Sequence, residues 1–130
     1  MDMYKKISHI HSEEDRRDIL DEFYDRFGDP PDTTVRLTYV SLLRALGAKA
    51  GMTKIEQREG EIRFRSPKLD LSIWSELFAT TEGLRLLAGV EPAVCLKLKR
   101  GEDATATACA VMIKYNALQN ETTEAKGDMA

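Results

Sequence analysis

The chain has 130 residues, the length of one domain with a single hydrophobic core. Its apolar fraction of 42% and charged fraction of 32% exclude a disordered chain, and its formal net charge of −3 excludes a general attraction to DNA or to anionic membranes. No apolar run approaches the ~20 residues of a membrane-spanning helix, and the N-terminus lacks the apolar region of a signal peptide. We therefore expect a cytoplasmic protein.

The first ten residues have the pattern of a helix, with Met3, Tyr4 and Ile7 on one face. No capping residue or polar leader precedes Met1, so this is a helix without a visible beginning. Residues 1–10 are either the end of a linker helix that continues from an upstream domain or a frayed natural terminus, and the sequence leaves both open.

An acid-rich helix is predicted after Ser12, which is a good N-cap, with Asp15 at the position of a capping-box acid. Its apolar stripe consists of Ile19, Leu20, Phe23 and Phe27. Gly28 is expected to end the helix in a positive-φ conformation. Pro30 forces Asp29 out of helical geometry, and Asp29 is predicted to cap the next helix. The segment therefore predicts a stiff corner between two helices.

The second long helix is predicted to start near Asp32 and to end at Gly51. Its buried stripe is expected to be Val35, Tyr39, Leu42, Leu43, Leu46 and Ala50. Gly47 lies inside this helix, where glycine costs about 1 kcal/mol relative to alanine. The cost indicates that another element packs closely at Gly47.

After Met52 the apolar period changes to two, which predicts strands. The segment "TKIEQREGEIRFR" predicts a hairpin with Glu59-Gly60 at the turn, in which Ile62 and Phe64 point to one side. A second hairpin is predicted from "LRLLAGV" and "AVCLKLK". In the latter, Val94, Leu96 and Leu98 alternate with Cys95, Lys97 and Lys99.

Two further helices are predicted, capped by Asp70 and Asp103. The apolar face of the first is expected to be Leu71, Trp74, Leu77 and Phe78, and that of the second Ala108, Val111, Met112, Tyr115 and Leu118. The fold class is therefore α+β: a single domain with an N-terminal helical corner, followed by two β-hairpins that form an antiparallel sheet with helices packed on one face. This domain spans residues 1–120, and residues 121–130 are expected to be a polar, mobile tail.

The sequence shows no phosphate-binding glycine loop, no dinucleotide-binding motif and no His-Glu-x-x-His. His9 and His11 would share one side only on a strand, and the segment favours a helix end or loop, so we expect no metal site. Cys95 and Cys109 are interpreted as buried, reduced thiols rather than nucleophiles or a disulfide. The acidic cluster from Glu13 to Asp25 is interpreted as a solvated helix face rather than as catalytic carboxylates. We expect neither a cofactor nor an enzyme.

One cluster does indicate binding. Alternate positions on the predicted sheet form a basic stripe of Arg58, Arg63, Arg65, Lys97 and Lys99, with Arg100 nearby. These cations either contact a partner, as an acidic protein surface or a phosphate, or are simply solvated side chains that discourage aggregation at the sheet edges. No aromatic residue is interleaved with the stripe, which disfavours stacking of single-stranded nucleic acid.

The segments "MYKKI" at 3–7 and "LDEFYDRFGDPP" at 20–31, followed by a helix and the hairpin "KIEQREGEIRFR", resemble the C-terminal domain of bacterial transcription-repair coupling factor. The resemblance extends from Met3 to about Arg65 and is carried by Tyr4, Asp25, Arg26, Phe27, Gly28 and Pro30. We interpret these motif residues as structural. Phe27 is expected to be a core anchor and Gly28 a helix stop, while Asp25 and Arg26 are expected to fix the corner by local hydrogen bonds.

The resemblance implies a parent protein that is an ATP-hydrolysing DNA translocase of helicase type. Such a parent displaces stalled RNA polymerase from damaged DNA and recruits nucleotide-excision repair through the excinuclease A subunit. The resemblance further implies that this domain is a non-catalytic, autoinhibitory module. In the family it docks on the N-terminal repair-protein-like part of the same parent chain and restrains the motor.

The basic stripe is predicted to form part of that docking face. The alternative function is direct binding of nucleic acid through the same stripe, which would show a steep dependence on salt. An enzyme, which would need a pocket with perturbed titratable groups, is the third interpretation.

Overall fold

The computed structural model describes residues 2–128, with side chains as far as Glu121. Five helices and four strands follow one another along the chain: α1 (Met3–Ile7), α2 (Glu13–Phe27), α3 (Asp32–Lys49), β1 (Lys54–Arg58), β2 (Glu61–Arg65), α4 (Leu71–Thr80), β3 (Leu84–Leu87), β4 (Ala93–Lys97) and α5 (Ala104–Asp128). None of the described helices is both long enough and apolar enough to pass through a bilayer.

The helix starts are set by short-range hydrogen bonds. Ser12 accepts from the N–H of Asp15, and the carboxylate of Asp70 accepts from the N–H groups of Ser72 and Ile73, as predicted. Asp103 likewise accepts from Thr105 at 3.1 Å. The expectation of an uncapped first helix was wrong, because Asp2 accepts from the N–H of Tyr4 and caps α1.

The corner between α2 and α3 differs in one detail from its prediction. Gly28 has a φ of +85°, which a side chain would disfavour, and its N–H donates to the carbonyl of Tyr24. Asp29 does not cap α3, contrary to expectation. A capping side chain must belong to the residue directly before the first helical residue. Here the residue before Asp32 is Pro31, in an extended conformation, and its side chain makes no capping hydrogen bond. Its carbonyl accepts from Thr34 and Val35 instead.

Helix α2 departs most from the sequence prediction. Its one buried residue is Arg16, whose guanidinium donates to Glu13 at 2.6 and 2.8 Å and lies 4.0 Å from the ring centroid of Tyr39. Phe27, predicted to be a core anchor, is 64% exposed and contacts Phe23 of its own helix. Helix α2 packs mainly against α1 and α3, so its last turn has no core to enter.

Helices α3 and α4 bury faces that are displaced from the predicted ones. In α3, Leu42 and Leu46 are buried as expected, as is Ala50 directly after the helix. Val35, Tyr39 and Leu43 are only half-buried, while Thr34 and Thr38 are buried. The Thr38 hydroxyl can be buried because it donates to the carbonyl of Val35 in its own helix. The sequence did not predict its burial, since threonine is not counted in an apolar stripe. In α4, Trp74 and Leu77 are buried as predicted, whereas Leu71 and Phe78 are exposed. Ile73, which was not predicted, is the third buried residue of this helix.

The two hairpins join in one antiparallel sheet with the strand order β1-β2-β4-β3, which confirms the predicted fold class. Glu59 and Gly60 both have positive φ at the first turn, as a tight two-residue hairpin requires. Ile62 and Phe64 pair with Leu96 and Val94 on the helix-covered side.

The core lies between this side of the sheet and helices α3, α4 and α5. Its centre is an aromatic cluster in which the Trp74 ring lies 5.7 Å from Phe64 and 5.2 Å from Tyr115. The predicted inward residues of α5 are buried, with Leu118 partly so, and helix α5 continues to Asp128 where the sequence predicted a tail from Glu121. Met129 and Ala130 lie outside the described residues.

Candidate functional site

The side of the sheet away from the helices is termed here the open face. Cross-strand register places eleven side chains on it: Lys54, Glu56, Arg58, Glu61, Arg63, Arg65, Arg85, Leu87, Ala93, Cys95 and Lys97. Six of these eleven are cationic and two are carboxylates, although the whole chain carries a net charge of −3. The structure therefore collects a local excess of positive charge on an otherwise acidic protein.

Four of the five stripe residues predicted from the sequence lie on this face, and one does not. Arg58, Arg63, Arg65 and Lys97 are at alternate positions of paired strands. Lys99 follows the end of β4, where its backbone N–H donates to Glu102 at 2.7 Å. Lys99 lies beyond the paired residues of β4, so the register does not place it on the open face; it lines a groove that Lys97 shares with residues of α4 and α5.

Two carboxylates organise the open face. Glu56 accepts from Arg65 at 3.2 Å and lies 3.3 Å from the ammonium of Lys54. Glu61 accepts from Arg63 at 2.9 Å and from Arg85 at 2.8 Å. Each carboxylate thus bridges at least two cations, and the paired side chains of Arg63 and Arg65 are largely covered by their neighbours.

These pairs shift the ionisation of the carboxyls in the direction expected for charge-assisted hydrogen bonds. The hydrogen bond from Arg65 lowers the pKa of Glu56, and the bonds from Arg63 and then Arg85 lower the pKa of Glu61. The hydrogen bond to Glu61 in turn raises the pKa of Arg63. Both carboxyls and the Arg63 guanidinium are therefore held in their charged forms.

Lys97 is a cation of the open face that remains outside the ion pairs described above. Its side chain is exposed, and within the described residues no carboxylate lies close enough to form an ion pair with it. Arg58 reaches Glu56 only at 3.9 Å and is 63% exposed at its side chain. An incoming anionic group would therefore meet Lys97 and Arg58 before it met the two paired arginines.

Cys95 lies at the centre of the open face, between Arg63 and Arg85 in the cross-strand register. The surrounding side chains cover it completely, and burial raises the pKa of its thiol. Cys109 is buried against α3 with its thiol 3.3 Å from the carbonyl of Tyr39, and burial raises its pKa to about 12. Both cysteines are free thiols, as predicted.

The motif residues of the N-terminal corner are mostly on the surface. Tyr4 is 65% exposed, and Arg26 forms a 3.4 Å pair with Glu22 of its own helix. The corner is held by the backbone bond from Gly28 to Tyr24, whereas Asp25 and Arg26 make no hydrogen bond across it within the described region. The predicted local hydrogen bonds of these two side chains are therefore not found.

The two histidines lie in the segment between α1 and α2. The Nδ1 atom of His9 lies 2.7 Å from the carbonyl oxygen of Lys5, and both histidines are exposed. Among the side chains that the structure describes, residues 2–121, no group of three or more His, Cys, Asp or Glu is arranged to hold a metal ion.

Sequence reasoning missed Lys54, Glu56 and Arg85 as members of the open face. Their signal was present, because each alternates with an apolar residue in "KIEQR" or "LRLL". What the alternation could not supply was the order of the strands. That order places Arg85 of β3 within reach of Glu61 of β2 across β4.

Comparison with known proteins shows the family and the fold. Residues 1–72 match the family described as the TRCF domain. The fold is similar to the crystal structure of the C-terminal domain of transcription-repair coupling factor, with a TM-score of 0.71 and 19% sequence identity, over 95% of this chain and 80% of that one. No curated protein matches the chain in sequence.

Proposed function

The chain belongs to the TRCF-domain family, and from this premise we propose that it is a non-catalytic, autoinhibitory protein-interaction domain of a transcription-repair coupling factor. Its partner is the N-terminal repair-protein-like part of the same parent. Docking there masks the surface that binds the excinuclease A subunit and restrains the ATP-driven DNA translocase until the parent engages stalled RNA polymerase. The switch is an equilibrium between docked and undocked domains.

The observation that carries this proposal is the open face itself. This sheet face, which no described helix covers, carries six cations and two carboxylates and is suited to an acidic protein surface. The Arg63 and Arg65 pairs with Glu61 and Glu56 hold these side chains in place before binding. Lys97 and Arg58 remain accessible to the partner.

The test uses the parent protein with Lys97→Glu. Reversing this charge removes an accessible cation without breaking an ion pair inside the domain, which a change at Arg63 or Arg65 would do. We expect weaker docking, and hence higher basal ATP hydrolysis and translocation in the absence of RNA polymerase. Binding of the excinuclease A subunit should rise in parallel.

Arg36→Glu is the matched control, because Arg36 is an exposed residue of α3 and the substitution changes the net charge by the same amount. It should leave basal activity unchanged. Equal effects of the two variants would show that only total charge matters and would remove the open face from the docking interface. If deletion of residues 1–130 from the parent also changes nothing, the autoinhibitory role itself is excluded.

The same cation excess supports one alternative, which is binding of the phosphate backbone of nucleic acid. Phosphate contacts would make the affinity fall steeply with added salt, and Lys97→Glu would weaken it. Absence of any mobility shift at low salt would exclude this function.

A further inference from the structure

Strand β1 is an edge of the sheet, and no described strand pairs with its outer side. It runs beside helix α3, and a cavity of about 340 Å³ lies between them. The apolar part of its lining consists of Val40, Leu43, Gly47, Ala48, Met52 and Ile55. A second cavity of about 100 Å³ continues from Leu43 and Ile55 to Gln57 and the start of α5. The groove therefore follows the edge strand over most of its length.

Alternate residues of β1 direct their backbone groups away from the sheet. The carbonyl of Arg65 accepts from the chain on the β1 side, while the N–H of Ser66 donates toward β4. Odd-numbered residues of β2 therefore bond to β1, and their partners are Lys54, Glu56 and Arg58. The N–H and C=O groups of Ile55 and Gln57 consequently point to the free edge.

We propose that the β1 edge accepts an extended peptide segment of a partner protein as a fifth, antiparallel strand, with the pattern acidic–apolar–neutral–apolar–acidic. Such strand addition combines main-chain hydrogen bonds, which supply affinity, with side-chain pockets, which supply specificity. It uses the backbone edge of β1 and the groove beside α3, together with the three charged side chains that β1 places on the open face, and it does not depend on the docking function proposed above.

The pattern follows from what lies opposite each position of an added strand. Residues directly opposite one another share a face, so two apolar side chains, opposite Ile55 and Gln57, would enter the two cavities of the groove. Alternate residues of a strand are about 6.6 Å apart, which allows one strand to reach both cavities.

The charges follow from the same register. The two outer residues of the added strand would lie opposite Lys54 and Arg58, so carboxylates are favoured at these positions. The central residue would lie opposite Glu56, so a carboxylate is disfavoured there. Arg44 adds a further cation at the groove. No acidic residue lines the larger cavity.

Gly47 contributes to the shape of this groove. A Cβ atom at position 47 would lie 2.9 Å from the Cδ1 atom of Ile55. Glycine therefore lets the Ile55 side chain lie directly against α3, and the groove opens beside this contact. This packing also accounts for a glycine inside a helix, where it costs about 1 kcal/mol relative to alanine.

The experiment titrates the isotope-labelled 130-residue chain with the capped peptide Glu-Val-Thr-Val-Glu and follows backbone amide resonances. We expect shifts confined to β1 and the facing side of α3, with slower hydrogen exchange at the amides of Ile55 and Gln57. The charge-reversed peptide Lys-Val-Thr-Val-Lys should bind more weakly by about tenfold or more, because each end would then meet a like charge.

Gln57→Pro removes one outward N–H donor while leaving the ladder to β2 intact, since proline is tolerated where an edge N–H faces solvent. Binding should weaken by about tenfold, and Gln57→Val, which keeps the donor, should bind normally. If Gln57→Pro does not fold, N-methylation of the peptide gives the same test on the wild-type chain. Methylation of the backbone nitrogens of both valines should abolish binding. Methylation of the threonine nitrogen should not, because the N–H of that residue points away from β1.

Several results would overturn the proposal. These are the absence of shifts at millimolar peptide, equal binding of the two charge forms, shifts on the open face alone, and equal effects of the two methylation patterns. Sedimentation that shows β1-mediated pairing of two copies of this chain would replace the proposed partner with a second copy.

Discussion

The two faces of the sheet come from the same four strands and are stabilised by different physics. On the covered face, Phe64 and Leu96 meet α4 and α5, and the rings of Phe64, Trp74 and Tyr115 lie within 6 Å of their neighbours. On the open face, Glu56 and Glu61 hold arginine and lysine side chains by ion pairs. Adjacent side chains of β2 therefore lie in different environments, one in the apolar core and the next among the ion pairs of the open face.

This difference separates stability from recognition. Burial of aromatic and aliphatic side chains contributes about 1.5–3 kcal/mol for each large residue, whereas ion pairs that water can reach contribute little on average. We infer that the covered face determines whether the domain folds. The open face can then change its charges, and so its partners, without loss of the fold.

The largest expected effect tests this division at two adjacent positions. Phe64→Ala should lower the free energy of unfolding by about 3–5 kcal/mol, because it leaves a cavity against Trp74. Arg63→Ala should lower it several times less. Urea denaturation followed by the emission of Trp74, the chain's single tryptophan, measures both. Similar losses for the two variants would contradict the division between the faces.

A smaller effect is expected at the cap of the helix that carries Trp74 into the core. Asp70 accepts from two backbone N–H groups at the start of α4. Asp70→Ala should therefore cost about 1 kcal/mol, measured as a shift of the thermal midpoint by circular dichroism. Asp21→Ala, at an exposed aspartate in the middle of α2, is the control and should shift the midpoint much less. An equal shift in both would mean that the cap contributes nothing.

The smallest expected effect is the response of the open face to acid. The pKa values of Glu56 and Glu61 lie below their ordinary value of 4.5 in the folded chain, so in acid the unfolded chain binds more protons than the folded chain. Their contribution to stability is therefore complete above about pH 5 and is lost as the pH falls through the lowered values. The thermal midpoint should decline over this range, and added salt should reduce the decline.

The double variant Glu56→Gln, Glu61→Gln isolates this response. It should show a shallower decline than the wild type but still some decline, because the hydrogen bond from Arg16 also lowers the pKa of Glu13. A decline identical to that of the wild type would show that the open-face pairs do not contribute to acid stability.

The sequence by itself determined the features that depend on near neighbours. Ser12, Asp70 and Asp103 cap helices because the N–H groups they accept from are two or three residues away. Glu59 and Gly60 turn the chain because a two-residue hairpin requires positive φ. Strict alternation assigned Ile62 and Phe64 to one face, and the N-terminal motif identified the family.

Only the tertiary structure decided which surfaces are covered. Phe27 has the spacing of a core residue but is exposed, because none of the described elements covers it at the end of α2. Thr38 is buried because α3 presents that side to the core. The pairing of Arg85 with Glu61 and the groove between α3 and β1 depend on strand order and helix placement. Burial and ion pairing depend on residues far apart in the chain, and local periodicity carries no information about that distance.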